Sequence, residues 1–385
     1  MKFNIYSHAF MEDPYPLIRE ARATHGVAVS EKDRVFALSH ALCREILTDG
    51  KTFRSKPPAR STTVDSWLIF KNGEAHMELR ALFRHLFAPS HVEGLRQTVR
   101  EAVDSAVEEA LELGEFDFVQ LFSRTIPVSI ISALLGVPPS LNDALFDLTA
   151  NAAIGVEPMS TAAMREVGFT ALRSMMEILK EVGIHLQAAG TDRVWNAAPS
   201  LAEDGPLARQ FLENVVFIYG AGHHTTGGLL SGSAALLAER PALLEELRAD
   251  EGLVPSAVEE LCRFVSPVPV ISREVTRTTE IDGIRFEEGH AAFVMLAAAN
   301  RDPAAFVEPD SIDLRRSPNR HLVFAAGPHF CLGPQLAKIE LQETLAALAT
   351  RVDKLELTGP PSFHPLLATR VHRALPMRAI ARRTP

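Results

Sequence analysis

Cys331 stands in the run Phe324-Ala325-Ala326-Gly327-Pro328-His329-Phe330-Cys331-Leu332-Gly333, at the head of a long apolar-periodic segment. Unpaired N–H groups at a helix start, together with the helix dipole, stabilise negative charge on a nearby sulfur. A cysteine so placed is suited to hold a metal as its thiolate. Gly327 and Gly333 let the backbone turn tightly and approach a flat ligand, and Pro334 fits a first helical turn. A free cysteine in a Gly/Pro turn is equally often a small buried hydrophobe, and one loop does not separate the two readings.

Three further groups have chemistry in them. His76 and Arg80 are four residues apart, on one face of a helix that starts near Gly73, and can present two donors to one anion. The same pair is also an ordinary solvated face. In Gly220-Ala221-Gly222-His223-His224-Thr225-Thr226-Gly227-Gly228 the small residues Ala221 and Gly222 would admit a flat ligand, and a threonine hydroxyl can bond to the backbone. The alternative is a buried helix whose glycines serve close packing. Glu260 and Arg263, three apart after Pro255-Ser256, can form an ion pair on one helix face.

The elements that must position these groups are mostly helical. Phe211 to Leu237 is apolar enough for a long helix, yet 220–228 is a poor helix former that tertiary packing must rescue. Ser90-His91-Val92-Glu93 reads as a capping box opening a helix with Leu95, Val99, Val103 and Val107 on its core face. Further helical periodicity covers 122–135 and 162–186, while 190–205 reads as an irregular, mobile loop. Strands are expected at 34–38 and 375–380, and a hairpin at 278–286 around Asp282-Gly283. Cys43 and Cys262 sit in apolar helical patterns and are expected in the core.

Taken in order, these motifs resemble those of the cytochrome P450 family over nearly the whole chain, with a mainly α fold carrying small β-sheets in one catalytic domain spanning 1–385. The cysteine loop resembles the haem-thiolate signature, a long match of low degeneracy, which implies Cys331 as axial ligand to the iron of haem b, flanked by Phe324, Gly327 and Gly333. His76 and Arg80, with Phe87 downstream, resemble the helix that binds a haem propionate. The segment Pro267 to Arg273 resembles the stretch that lines the distal pocket with Val270 and puts Arg273 on a propionate, and His329 is expected there too. The Glu260…Arg263 pair resembles a structural element with Arg316 as its third member. The loop 57–70 with Trp67, and the final stretch with Leu366 and Leu367, correspond to substrate-contacting segments. Lys338 is expected to reach a partner protein, and Arg84 to face its docking surface.

The run 221–226 resembles the oxygen-binding pattern Ala-Gly-x-acid-Thr-Thr, which puts Thr225 at the alcohol position and Ala221 and Gly222 against the haem. Here the chain departs from the pattern, because the acid position is His224. Histidine can shuttle protons near neutral pH, so His224 can replace the acid; a structural or substrate-binding histidine is the equal alternative. His223, offset by one residue, is expected to point away.

The resemblance implies a monooxygenase that inserts one atom of O2 into a small organic substrate, with electrons from NAD(P)H through ferredoxin and ferredoxin reductase. The missing acid leaves open a haem-thiolate enzyme of another kind, peroxide-driven, dehydrogenating, coupling or rearranging. A non-catalytic haem sensor or carrier is disfavoured by Thr225. Bulk properties agree with an enzyme of this size: 385 residues with 46% hydrophobic content can bury a large core, and the net charge of −9, with both signs interspersed, argues against nucleic acid. Three scattered cysteines suit a reducing compartment, and neither a signal sequence nor an uncharged run of about eighteen apolar residues is present, so a soluble cytoplasmic protein without a membrane partner is expected.

Overall fold

The helix Pro206–Glu239, of 34 residues, is the axis of the computed structural model, which describes residues 3–57, 64–157, 160–190, 193–203 and 205–382. Pro206 sits in its first turn, after an extended Gly205. The run 220–228 is helical throughout. Its small residues lie where neighbours come closest: a Cβ on Gly222 would stand 3.0 Å from Ile131, and one on Gly227 2.7 Å from the Ser123 carbonyl oxygen. Burial of Phe211, Val215, Tyr219, Leu230 and Leu237 at about 1.5–3 kcal/mol each outweighs a cost of about 1 kcal/mol per glycine.

Around this axis pack the helices Gly73–Arg84, Arg96–Leu113, Thr125–Leu135, Asn142–Val156, Ala162–Ala189, Val254–Val265 and Pro334–Arg351. In Arg96–Leu113 the buried stripe Val99, Val103, Val107, Ala110 faces the core, as its spacing predicts. The expected capping box does not form. Pro89 starts a separate short helix, Pro89–Gly94, with Ser90 inside it, and the Glu93 carboxylate is taken by Arg96 at 2.5 Å instead of by a backbone N–H. The segment before Thr125–Leu135 is a π-helix, Val119–Arg124, whose Ser123 carbonyl meets Gly227.

The β-structure is confined to small sheets, so the expected fold class is the observed one. In the five-stranded sheet, Arg34–Ala37 pairs parallel with Ala291–Val294, which pairs antiparallel with Ile271–Val275, and Phe53–Arg54 closes the far edge. Side chains alternate along a strand. Arg273 opposes Ala292 and, with Val275, points to the buried face. Asp282 and Gly283, at φ of 48° and 76°, make the two-residue turn of the expected hairpin. Residues 190–205 are less irregular than expected: 193–197 form a short helix with Trp195 buried, while 191, 192 and 204 lie outside the described residues. Cys43 and Cys262 are fully buried, and burial pushes the Cys43 thiol up to about 12, which makes it inert. Among the described residues no helix is long and apolar enough to cross a membrane.

Candidate functional site

The cysteine loop is closed by its own backbone. The Cys331 N–H donates to the Phe324 carbonyl at 2.9 Å, and the Phe330 N–H to that of Gly327 at 3.1 Å, in front of the helix that Pro334 begins. Gly327 has φ 69°, and a Cβ there would run into the Leu47 carbonyl; a Cβ on Gly333 would stand 3.0 Å from Phe87. Both glycines therefore make room for protein neighbours as well as for the turn itself. Phe324 is half-buried under the Lys338 ammonium, 5.4 Å from its centroid. Lys338 is itself held by Glu259 at 2.6 Å.

Burial pushes the Cys331 thiol above its ordinary range, while the N–H of Gly333, the Arg80 charge and the N–H of Leu332 pull the other way. The expected backbone donors are thus in place, but they do not by themselves lower the pKa. A coordinated cation would, because it deprotonates a thiol outright.

Beside this loop four nitrogen-bearing side chains converge from a helix, a strand and the loop itself. His76 is buried on Gly73–Arg84 one turn before Arg80, and its ring lies 4.3 Å from that of His329. Burial, Arg273, His76 and Arg80 together push His329 down to about 3. Arg273 is 7% exposed, and its guanidinium donates to the Ser272 carbonyl at 2.9 Å. Burial alone pushes it down to about 10. No carboxylate forms an ion pair with any of the four among the described residues. A buried cation without a counter-charge is costly, so the cluster is built for an anion.

On the long helix, Ala221 is the one exposed side chain between Phe211 and Leu237, so an otherwise buried helix opens a small surface there. Thr225 shares that face one turn on, half-buried, and its hydroxyl donates to the Ala221 carbonyl at 2.8 Å. Gly222, half-buried beside it, packs against Ile131, from which a Cβ would stand 3.0 Å. His223 points into the core, with Nδ1 3.3 Å from the Tyr219 carbonyl, as its offset predicts. His224 Nε2 lies 3.1 Å from the Thr369 hydroxyl, and its ring is 6.4 Å from that of His364. Burial, with the neighbouring His223 and His364, pushes His224 down to about 3, so it is neutral at physiological pH.

The Glu260, Arg263 and Arg316 cluster forms as expected. Arg263 donates both Nε and Nη2 to Glu260 at 2.8 Å, and Arg316 Nε reaches the same carboxylate at 3.0 Å. The remaining Arg263 donors go to the carbonyls of Asn300, Pro309 and Ser311. Burial pushes Glu260 up, but hydrogen bonds from Arg263, the Asp313 N–H and Arg316 outweigh it and hold the carboxyl below its ordinary range.

The expected substrate contacts fare unevenly. Trp67 is buried, its ring tilted against Phe217 of the long helix at 5.1 Å and stacked on Phe70 at 6.3 Å; residues 58–63 of its loop lie outside the described residues. Val270 is buried in one cluster with Leu367, while Leu366 is half-buried in the turn before it. Three residues went unnoticed in the sequence. Asn214 holds 64–68 against the long helix by accepting from the Leu68 N–H at 2.5 Å, and its signal was a lone amide in an apolar run. Thr369 and Glu157 carry no local signal, because their partners lie far along the chain. A surface groove of about 380 Å³ lined by Arg124, Asp143 and Phe146 shares no residue with the set around Cys331.

The cytochrome P450 family model matches residues 202–352. Nocardicin C N-oxygenase of Nocardia uniformis subsp. tsuyamanensis is 31% identical, over 85% of this chain and 84% of that protein. Cytochrome P450 monooxygenase PikC of Streptomyces venezuelae is 30% identical over 96% of this chain and 92% of its own. Among solved structures, P450BioI in complex with hexadec-9Z-enoic acid ligated acyl carrier protein superposes with a TM-score of 0.88 at 26% identity, covering 96% of this chain and 99% of that one.

Proposed function

The chain belongs to the cytochrome P450 family and is a haem-thiolate monooxygenase, and from that premise we propose that Cys331 is the thiolate ligand of the haem iron. One observation carries the assignment. His76, Arg80, Arg273 and His329 gather beside the Cys331 loop with no carboxylate among the described residues paired to them, the complement of the two haem propionates. The donor set therefore fits haem. Bound there, haem supplies the iron at which dioxygen is activated.

The chain's own residues then do three things. The strand Ile271–Val275 and the helix Gly73–Arg84 would hold the buried Arg273 and the half-buried Arg80 guanidiniums toward the propionates. Ala221 leaves the opening in the long helix, while Thr225, whose proton is committed to the Ala221 carbonyl, keeps oxygen lone pairs for a hydrogen bond from a reactant. Neutral His224 takes the place of the acid: a proton accepted at one ring nitrogen leaves from the other. Val270 and Leu366 contribute to the substrate's surroundings. The substrate class is a small organic molecule, and electrons from NAD(P)H arrive through a ferredoxin and its reductase, as the resemblance to the bacterial branch implies.

The test is the ferrous carbon monoxide spectrum of the haem-loaded protein. A strongly red-shifted Soret band in the natural protein, lost in Cys331→His, is expected; an unshifted band in the natural protein removes the assignment.

A further inference from the structure

We infer that Glu157 is a positioning residue for proton delivery: by gripping the Leu367 and Ala368 backbone, it holds the Thr369 hydroxyl against His224. The inference rests on the reading of His224 as proton carrier. Glu157 follows the helix Asn142–Val156 and is 6% exposed. Its Oε1 accepts from the Leu367 N–H at 2.9 Å and its Oε2 from the Ala368 N–H at 3.3 Å, two successive amides far along the chain. No cation pairs with it among the described residues. A buried carboxylate without a counter-ion is an expensive way to fasten a turn, and only its backbone donors offset that cost.

The next residue is Thr369, whose hydroxyl lies 3.1 Å from His224 Nε2. The turn is pinned on its far side, where the Arg370 N–H donates to the Pro267 carbonyl at 2.8 Å and the Arg370 guanidinium to that of Glu12 at 2.8 Å. The Leu367 side chain is buried with Val270 and Phe10. Of the stretch 367–370, then, both flanks are held and Thr369 is the polar side chain presented to the long helix. Fixing its hydroxyl fixes which nitrogen of His224 is engaged, and hence which one is left to exchange a proton. Among the described residues no hydrogen bond joins Glu157 to His224 or Thr225, so its grip reaches them through the turn.

The experiment compares Glu157→Ala, Glu157→Gln, Thr369→Val and Thr369→Ser in the haem-loaded full-length enzyme, with His224→Ala alongside. The first readout is independent of turnover: amide hydrogen exchange over 366–369, and the imidazole nitrogen resonances of His224 in the ferrous carbon monoxide form. Glu157→Ala is expected to speed exchange of the Leu367 and Ala368 amides about tenfold, the effect of losing a hydrogen bond of ordinary strength, and to move the His224 resonances to where Thr369→Val puts them. The second readout uses dioxygen and NADH with a surrogate ferredoxin and reductase and no added substrate: NADH oxidation, its solvent isotope effect and the peroxide released. Glu157→Ala and Thr369→Val are each expected to slow oxidation about tenfold, at the low end of what a general acid–base group contributes, with altered isotope effects and with the double variant no worse than either. Thr369→Ser should restore the natural values, and Glu157→Gln should fall between. Unchanged His224 resonances and amide exchange in Glu157→Ala overturn the grip itself. Changed resonances with oxidation and isotope effect unmoved in both Glu157→Ala and Thr369→Val overturn its role in proton delivery; if His224→Ala is then also without effect, the failure lies in the reading of His224.

Discussion

His76 and His329 lie ring against ring, with centroids 4.3 Å apart and planes at 43°, although one comes from a helix and the other from the turn before Cys331. Burial and the nearby Arg80 keep His76 below its ordinary pKa. Two neutral imidazoles in tilted contact beside two guanidiniums form a donor surface that the folded protein cannot satisfy from its own described acids. Its stability therefore depends on what it holds.

That dependence separates the apo and loaded proteins. Arg273→Met removes a buried, unpaired cation from a strand that otherwise packs well. Without haem the variant is expected to be more stable than the parent, by about 1–3 kcal/mol, as when buried charges give way to apolar groups. With haem the order reverses, and the prosthetic group is lost at least about tenfold faster to a haem-scavenging protein, since a charge-assisted bond is gone. Denaturant unfolding of both forms checks the first statement; a variant less stable in both forms contradicts it.

Acid should destabilise the protein through histidines held neutral. Burial pushes His223 and His372 down to about 4. Between that value and their ordinary one of about 6.5, the unfolded chain binds protons that the folded chain refuses. Stability is then full above about pH 6.5 and falls as the pH drops toward 4, by on the order of 3 kcal/mol for each residue. His223→Gln, which keeps a donor for the Tyr219 carbonyl, should flatten the pH dependence of the urea midpoint in that window. Parallel curves for variant and parent would speak against it.

The Glu260 cluster is the place where a single change should be most damaging. Glu260→Ala strands the buried Arg263 guanidinium and costs about 3–5 kcal/mol, the range for breaking a buried pair. Arg316, at the edge of the cluster, leaves Glu260 with Arg263 still bound, so Arg316→Ala should cost less than half as much. Chemical denaturation ranks the two, and an equal loss would show that the cluster does not have this inner and outer order.

Two glycines that share a positive φ should respond differently to alanine. Gly26 and Gly327 have φ of 73° and 69°, but a Cβ on Gly26 meets nothing, whereas one on Gly327 collides with the backbone of Leu47 and Thr48. Gly26→Ala is expected to cost about 1 kcal/mol from conformation alone. Gly327→Ala adds overpacking and should cost about 1–3 kcal/mol more, with haem binding impaired because the cysteine loop must shift. Urea midpoints of the two variants give the comparison directly.

Local patterns made much of this visible beforehand. The long helix, the Asp282-Gly283 hairpin and the Glu260…Arg263 pair follow from spacing within a few residues, and the structure has them. The gathering of His76, Arg273 and His329 was suggested only by motif order, because nothing local in three distant segments says that they meet. For Gly222, Gly327 and Gly333 the structure adds a reason that spacing could not give: each makes way for Ile131, Leu47 or Phe87, and a neighbour from another element leaves no trace beside the glycine in the chain. The box at Ser90 failed because Pro89 started its own helix and Arg96 competed for Glu93. Glu157 and Thr369 were invisible for the same physical reason, since a side chain that bonds to a remote partner, backbone for Glu157 and the His224 ring for Thr369, needs no periodicity of its own.

The strand that carries Arg273 is finished only when Ala291–Val294 has slotted between it and Arg34–Ala37, and its far edge is Phe53–Arg54. A ribosome delivers those early strands long before their partners. They must wait, unpaired, through most of synthesis, and closure over so long a span is slow. The His76 helix, the Arg273 strand and the Cys331 turn emerge in that order and at widely separated times. Acquisition of the prosthetic group thereby waits for the Cys331 turn, and a supply of haem should rescue yield most when it is present once that turn has been made.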